Sequence, residues 1–160
     1  MKIIKYDREN AVNYALKYAL KRNPNYYSFD NLGGDCTNFV SQCVFAGSKI
    51  MNYTNTYGWF YKNLNDRSPS WSGVEFFYDF ITKNNSFGPF GYLVDKNEVE
   101  VGDVIELGNN LGSFYHSAII SQIIDDKIFV CAHTFDALNR PLNSYIYNMI
   151  RYIHIDGVRI

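Results

Sequence analysis

Residues 31–45 read NLGGDCTNFVSQCVF, and the architecture turns on where a helix begins within that stretch. Gly33 and Gly34 permit a tight turn and keep bulk away from the residues that follow. From Asp35 or Cys36 onward, Phe39, Val40, Cys43 and Val44 recur at helical spacing, which predicts an inward-facing helix that Gly47 ends. Cys36 then stands at the positive end of that helix. The unpaired N–H groups and the macrodipole there favour a thiolate over a thiol, and they can hold a developing oxyanion. The plainer alternative is a small residue buried at a helix terminus, since free cysteine is a common core residue. Cys43, further along the apolar face, and Cys131, beside Val130 in a strand, read as core.

Upstream, Asp7 can cap a helix running to about Arg22, with Ala11, Tyr14, Ala15, Tyr18 and Ala19 on one side and Asn23-Pro24 as its stop. Downstream, Ser72 and Glu75 match a capping box that opens a third helix through VEFFYDFITK. After Pro89 the chain changes character. EVGDVIEL, HSAIISQII, KIFVCAHT and SYIYNMIRYIHI are short β-branched and aromatic runs separated by Gly, Asn and Asp. Helices first and antiparallel strands second is the pattern of an α+β fold.

A nucleophilic thiol needs a base. HSAIISQIIDDKIFVCAHT reads as a β-hairpin turning at Asp125-Asp126. In that register Ala118 faces His133 and His116 faces Phe135, which makes the two histidines same-face diagonal neighbours, roughly 7 Å apart or less at Cβ. One can act as base and the other as its orienter. A slip of one residue would put them on opposite faces, leaving two unrelated strand-end histidines. His154, in the last strand, lacks a comparable partner.

The totals exclude several classes. One domain, 1–160, is expected from the length. A formal charge of −1 provides no basic field for nucleic acid and no polybasic membrane patch, and no apolar run approaches a membrane span. The start, MKIIKYDRENAVNYALKYALKRN, lacks the apolar core and cleavage site of a secretory signal, so a cytoplasmic chain is expected. Three cysteines without C-x-x-C spacing argue against a disulfide framework and a zinc site. Most of the fourteen Tyr and twelve Phe fall at core periodicity, whereas YGWFY is less periodic and could wall a substrate groove, with Trp59 the best candidate.

GGDCTNFVSQC, VGDVIEL, HSAII and VCAHT together resemble the bacterial amidase domain family, papain-like cysteine hydrolases related to the CHAP and NlpC groups. The resemblance also takes in YDRENAVNYALKYA, NPNYYSFDN and the Trp of YGWFY, and Asp-Cys-Thr-Asn-Phe-Val-Ser-Gln is its most specific part. It implies a papain-like fold, with N-terminal helices packed on a C-terminal antiparallel sheet and the nucleophile at a helix N-terminus. It further implies Cys36 as nucleophile, His116 as general base and His133 as third polar residue. Asp35 matches an acidic residue used for local structure or substrate amine contact; a helix N-cap is its equal alternative. The oxyanion would be held by the Cys36 N–H and a second donor, for which Asn31, Tyr26 and Tyr27 are the candidates. The implied substrate is a peptide-like amide or thioester, and no cofactor is expected, since thiol and imidazole suffice. Amide hydrolysis, acyl transfer to an amine, an exported wall hydrolase and a non-catalytic binding module all remain open readings.

Overall fold

The computed structural model describes residues 1–160. A short strand β1 (Ile3–Ile4) leads into α1 (Arg8–Tyr18), followed after a long connection by α2 (Cys36–Ser48). Two small strands, β2 (Tyr61–Asn63) and β3 (Asp66–Arg67), form their own hairpin and precede the helices α3 (Pro69–Ser72) and α4 (Val74–Lys83). The remainder is strand: β4 (Gly88–Val94), β5 (Val104–Gly108), β6 (Phe114–Ile124), β7 (Lys127–Ala132), β8 (Ala137–Pro141) and β9 (Met149–Arg159). These pair antiparallel in the order β1-β9-β5-β6-β7-β8, with β4 also on β9. The chain is α+β with an antiparallel sheet, as the order of helical and strand patterns predicts.

Strand alternation sorts the sheet residues into two cores. Val104, Ile119, Cys131, Ile153 and Ile155 face the helices and pack with Phe39, Val40, Cys43 and Val44 of α2. Ile105, Leu107, Ala118, Ile120, Val130 and Ala132 face the other way, under Ala137, Leu142 and the half-buried Tyr145 and Tyr147. Both faces of the middle strands are therefore buried, which explains their near-continuous apolar runs.

The helix limits differ from expectation in two places. Gly47 does not end α2; the helix continues to Ser48 and closes on Lys49, whose φ is 59° and whose N–H bonds the Phe45 carbonyl. Gly47 instead permits a close approach, since a Cβ there would meet the Tyr6 ring at 2.5 Å and the Asp7 carbonyl oxygen at 2.6 Å. Ser72 likewise opens no helix. Pro69 starts α3 three residues earlier, so Ser72 falls at its end, where its hydroxyl accepts from Arg67 Nε, and Gly73 precedes α4 without a side-chain cap.

Gly47→Ala is expected to destabilise the protein by about 1–3 kcal/mol, because the backbone atom at the contact cannot yield as a side chain would. Urea unfolding monitored by tryptophan fluorescence checks this; an unchanged midpoint would refute the close-approach reading.

Candidate active site

Cys36 is the first residue of α2, reached through Gly33 (φ 85°) and Gly34 (φ 101°), both in the left-handed region that glycine tolerates. The first helical N–H to reach a carbonyl is that of Phe39, on Asp35, so the turn ahead of it points open donors at the thiol's surroundings. The sulfur lies 3.8 Å from the Thr37 hydroxyl. Burial, the larger effect, pushes the thiol's pKa up, while the backbone N–H of Ser117 and the Thr37 hydroxyl pull it down. The expected thiolate at rest is thus corrected: Cys36 is 8% exposed, and desolvation outweighs the hydrogen bonds that reach its sulfur.

Ser117 explains how the sulfur comes so close to a strand. Ile120 exchanges hydrogen bonds toward β5, its N–H reaching Asp103 and its carbonyl accepting from Gly102. Alternation then turns the Ser117 N–H to the other edge of β6, where pairing with β7 has stopped at Ile119 opposite Cys131. The thiol occupies the edge that β7 vacates. It sits against the peptide bond between His116 and Ser117.

The hairpin loop is Asp125-Asp126, both residues in the left-handed region (φ 48° and 65°), and Ile124 pairs with Lys127 as expected. Between Gln122 and Ile120, however, the register shifts by one: Gln122 faces Phe129, but Ile120 faces Val130. A bulge at Ser121, whose hydroxyl bonds the Asn139 side chain at 2.6 Å, absorbs the extra residue. It carries His133 to the helix face, away from His116. There His133 stacks on Phe39 (ring centroids 4.0 Å apart) with Nδ1 2.6 Å from Asp35 Oδ2. Its Nε2 is 2.7 Å from the Tyr18 carbonyl, which can only accept, so that nitrogen carries a proton. His133 orients Asp35 and the end of α1, not His116.

Asp35 occupies the N-cap position of α2, but its side chain makes no cap hydrogen bond and is held by other groups. Its Oδ1 accepts from the Phe29 N–H (2.7 Å) and from Asn38 Nδ2 (2.8 Å), which together with His133 uses both oxygens. Trp59 lines no groove: it is fully buried, tilted on Trp71 and stacked on Phe80, with its indole N–H donated to Ser41. Tyr26 is wedged between Tyr61 and Trp71, and Asn31 lies exposed on the loop before Gly33. His154 joins Arg8 on the buried Asp103, a structural cluster. No three His, Cys, Asp or Glu side chains gather into a set that would hold a metal ion.

His116 faces the outer core. It is 8% exposed, its Nε2 is buried without a hydrogen-bond partner, and its nearest ring is Tyr145. Burial, reinforced by the charge of Arg140, lowers its pKa to about 4. No hydrogen bond joins it to Cys36; the two meet through the His116–Ser117 peptide rather than side chain to side chain. A buried chain of polar groups runs the other way. Thr37 Oγ1 is 3.1 Å from Ser117 Oγ, which donates to Glu106 (3.4 Å), which Arg151 holds by two bonds of 2.8 and 2.6 Å. Burial raises the pKa of Glu106 against the pull of Arg151. The one acidic residue inside the apolar run VIEL was the available signal for this network.

Removing one partner of a buried pair strands the other. Asp35→Ala and His133→Ala are each expected to cost about 3–5 kcal/mol, with the double variant far from additive; denaturant melts of all three check this. His116 adds a pH dependence. Its pKa is lowered by folding, so its contribution is whole above the ordinary range near 6.5 and is lost as pH falls toward about 4. Stability should fall over that window and fall less in His116→Gln, as read from thermal melts between pH 7 and pH 4.

Residues 5–155 match the family described as "Putative amidase domain". The uncharacterized protein YjcM of Bacillus subtilis (strain 168) is 31% identical over 144 residues, 85% of this chain and 32% of that protein. The uncharacterized protein YhbB of the same organism is 33% identical over 141 residues, 84% of this chain and 43% of that protein. The chain thus spans less than half the length of these relatives. No solved structure matches it significantly. With nearly its whole length covered, from the strand-to-helix entry at Lys5 to Ile155 in β9, the chain belongs to the amidase domain family.

Proposed function

We propose that this chain is a papain-like cysteine amidase in which Cys36 attacks an amide carbonyl and His116 moves the protons. The observation that carries the reading is the position of the Cys36 sulfur: first residue of a buried helix, open N–H groups around it, and the peptide of His116 beside it. A shift of the imidazole that brings Nδ1 to the uncovered edge of β6, with Nε2 kept on the Tyr145 side, forms the pair. Cys36 then gives its proton to His116 as the sulfur bonds to the carbonyl carbon. The oxyanion is held by backbone N–H groups, with that of Ser117 a donor beside that of Cys36. Collapse breaks the C–N bond, His116 protonates the departing amine, and a thioester remains. Water, deprotonated by the same imidazole, releases the acid and restores the thiol.

A second reading rests on one observation. Cys36 and His116 are both 8% exposed, and a site that shuts out water lets an amine intercept the thioester and form a new amide. The substrate class is a peptide-like amide or thioester. A cytoplasmic setting suits both readings.

The test is incubation with a panel of peptide amides and acyl thioesters, with and without candidate amines, and products read by mass. Cleavage that vanishes in Cys36→Ala and falls by at least about 100-fold in His116→Ala is expected. Activity surviving Cys36→Ala would refute the proposal, and free acid as sole product with every amine would refute the transferase.

A further inference from the structure

Across the chain, two buried side-chain polar atoms lack a hydrogen-bond partner: His116 Nε2 and the Tyr145 hydroxyl. They belong to neighbouring rings, with centroids 5.9 Å apart. Burying a polar atom without a partner is unfavourable, so two side by side mark a place that a polar occupant would complete. The charge around them has one sign. The Arg140 guanidinium lies 3.7 Å over the Tyr145 ring. Its hydrogen bonds go to Ser144, through Nε and one terminal nitrogen, rather than to a carboxylate. Arg140 opposes the effect of burial on the Tyr145 phenol by its charge and by a loose hydrogen bond, yet leaves the hydroxyl without a partner at full hydrogen-bond geometry. Tyr145 follows a 3-10 turn at Leu142–Ser144 and precedes Ile146, which is 95% exposed, so its segment runs along the surface where a ligand can enter.

We propose that His116, Tyr145 and Arg140 form a carboxylate subsite for the amine half of the substrate, so that the bond cleaved is the one preceding a free carboxylate. This rests on the Cys36–His116 reading. In that reaction His116 hands its proton to the leaving nitrogen, so the leaving amine lies on the imidazole side of the sulfur, the side where Tyr145 and Arg140 stand. His116 Nδ1 exchanges protons with thiol and amine. Nε2–H and the Tyr145 O–H donate to the carboxylate, and Arg140 balances its charge. The bound carboxylate takes the orienting place that a third side chain holds in other nucleophile–base sites, the place from which the Ser121 bulge removes His133. It also stabilises the imidazolium that forms during attack. A substrate with an uncharged amine half leaves that position empty.

The test follows the His116 imidazole resonances by nitrogen-15 NMR while the reduced full chain is titrated with glycine and, separately, glycinamide. Glycine should move them saturably and raise the His116 pKa toward its ordinary range, and glycinamide should not. Tyr145→Phe and Arg140→Gln should each weaken the glycine response at least about tenfold. Resonances that ignore glycine, respond alike to both compounds, or respond unchanged in both variants would overturn the subsite. Among panel substrates cleaved in a Cys36-dependent way, free acids should exceed their C-terminal amides by at least about tenfold in kcat/KM. Cys36-dependent cleavage with no such preference removes the subsite and leaves the amidase. Glycine binding without any Cys36-dependent turnover removes the reaction and leaves the carboxylate site.

Discussion

Every residue of α2 except Phe45 is buried, and that enclosure is the constraint on which the site depends. A helix sealed on all sides cannot leave polar groups to water, and each must find a partner on another element. Thr37 meets Ser117 of β6, Asn38 takes the Trp71 indole and gives to the Tyr27 carbonyl, Ser41 takes the Trp59 indole, and Gln42 takes the Tyr14 hydroxyl. Asp-Cys-Thr-Asn-Phe-Val-Ser-Gln is therefore a docking pattern as much as a chemical one. Its apolar members fill the core, and its polar members fix the rotation and height of the helix against five neighbours. The sulfur inherits that precision.

The helix and strand classes were legible because they rest on local periodicity, and so was the Asp125-Asp126 turn. The approach of the Cys36 thiol to β6 follows from the Gly-Gly entry and the helical spacing behind it. The partnership of His116 and His133 was not legible, because a pairing register is cumulative: one extra residue reverses every side chain beyond it. The bulge at Ser121 is fixed by a hydrogen bond to Asn139, a residue on a third strand, and nothing within the hairpin announces it. Gly47 and Ser72 failed for a related reason. Each carries a local signal that a tertiary contact outweighed, Tyr6 packing on the first and Pro69 setting the frame of the second.

The aromatic residues show the same limit in another form. Trp59 sits in an aperiodic run, which looked like a groove wall, yet Trp59 and Trp71 are the bulk between α2 and α4, each with its N–H satisfied by α2. Surface cavities lie elsewhere, one of about 540 Å³ among Thr54, Tyr57, Phe76 and Lys83, another of about 550 Å³ beside Lys96 and Ile123, neither touching Cys36 or His116. The site with chemical potential is a closed one.

Closure has an electrostatic consequence. Burial moves the thiol upward and the imidazole downward, so both groups are neutral at rest and the preformed thiolate–imidazolium pair of many cysteine enzymes is disfavoured here. In the proposed reaction, proton transfer would then accompany attack, which suits a base whose charge is welcome only once something negative lies beside it. Glu106 serves the helix side of β6, where Arg151 already holds it. On the outer side Arg140 brings a positive charge toward His116. An imidazolium formed there is opposed until an anion arrives from outside, so in the proposed reaction the resting site would keep Cys36 quiet toward water and stray electrophiles until a substrate is bound.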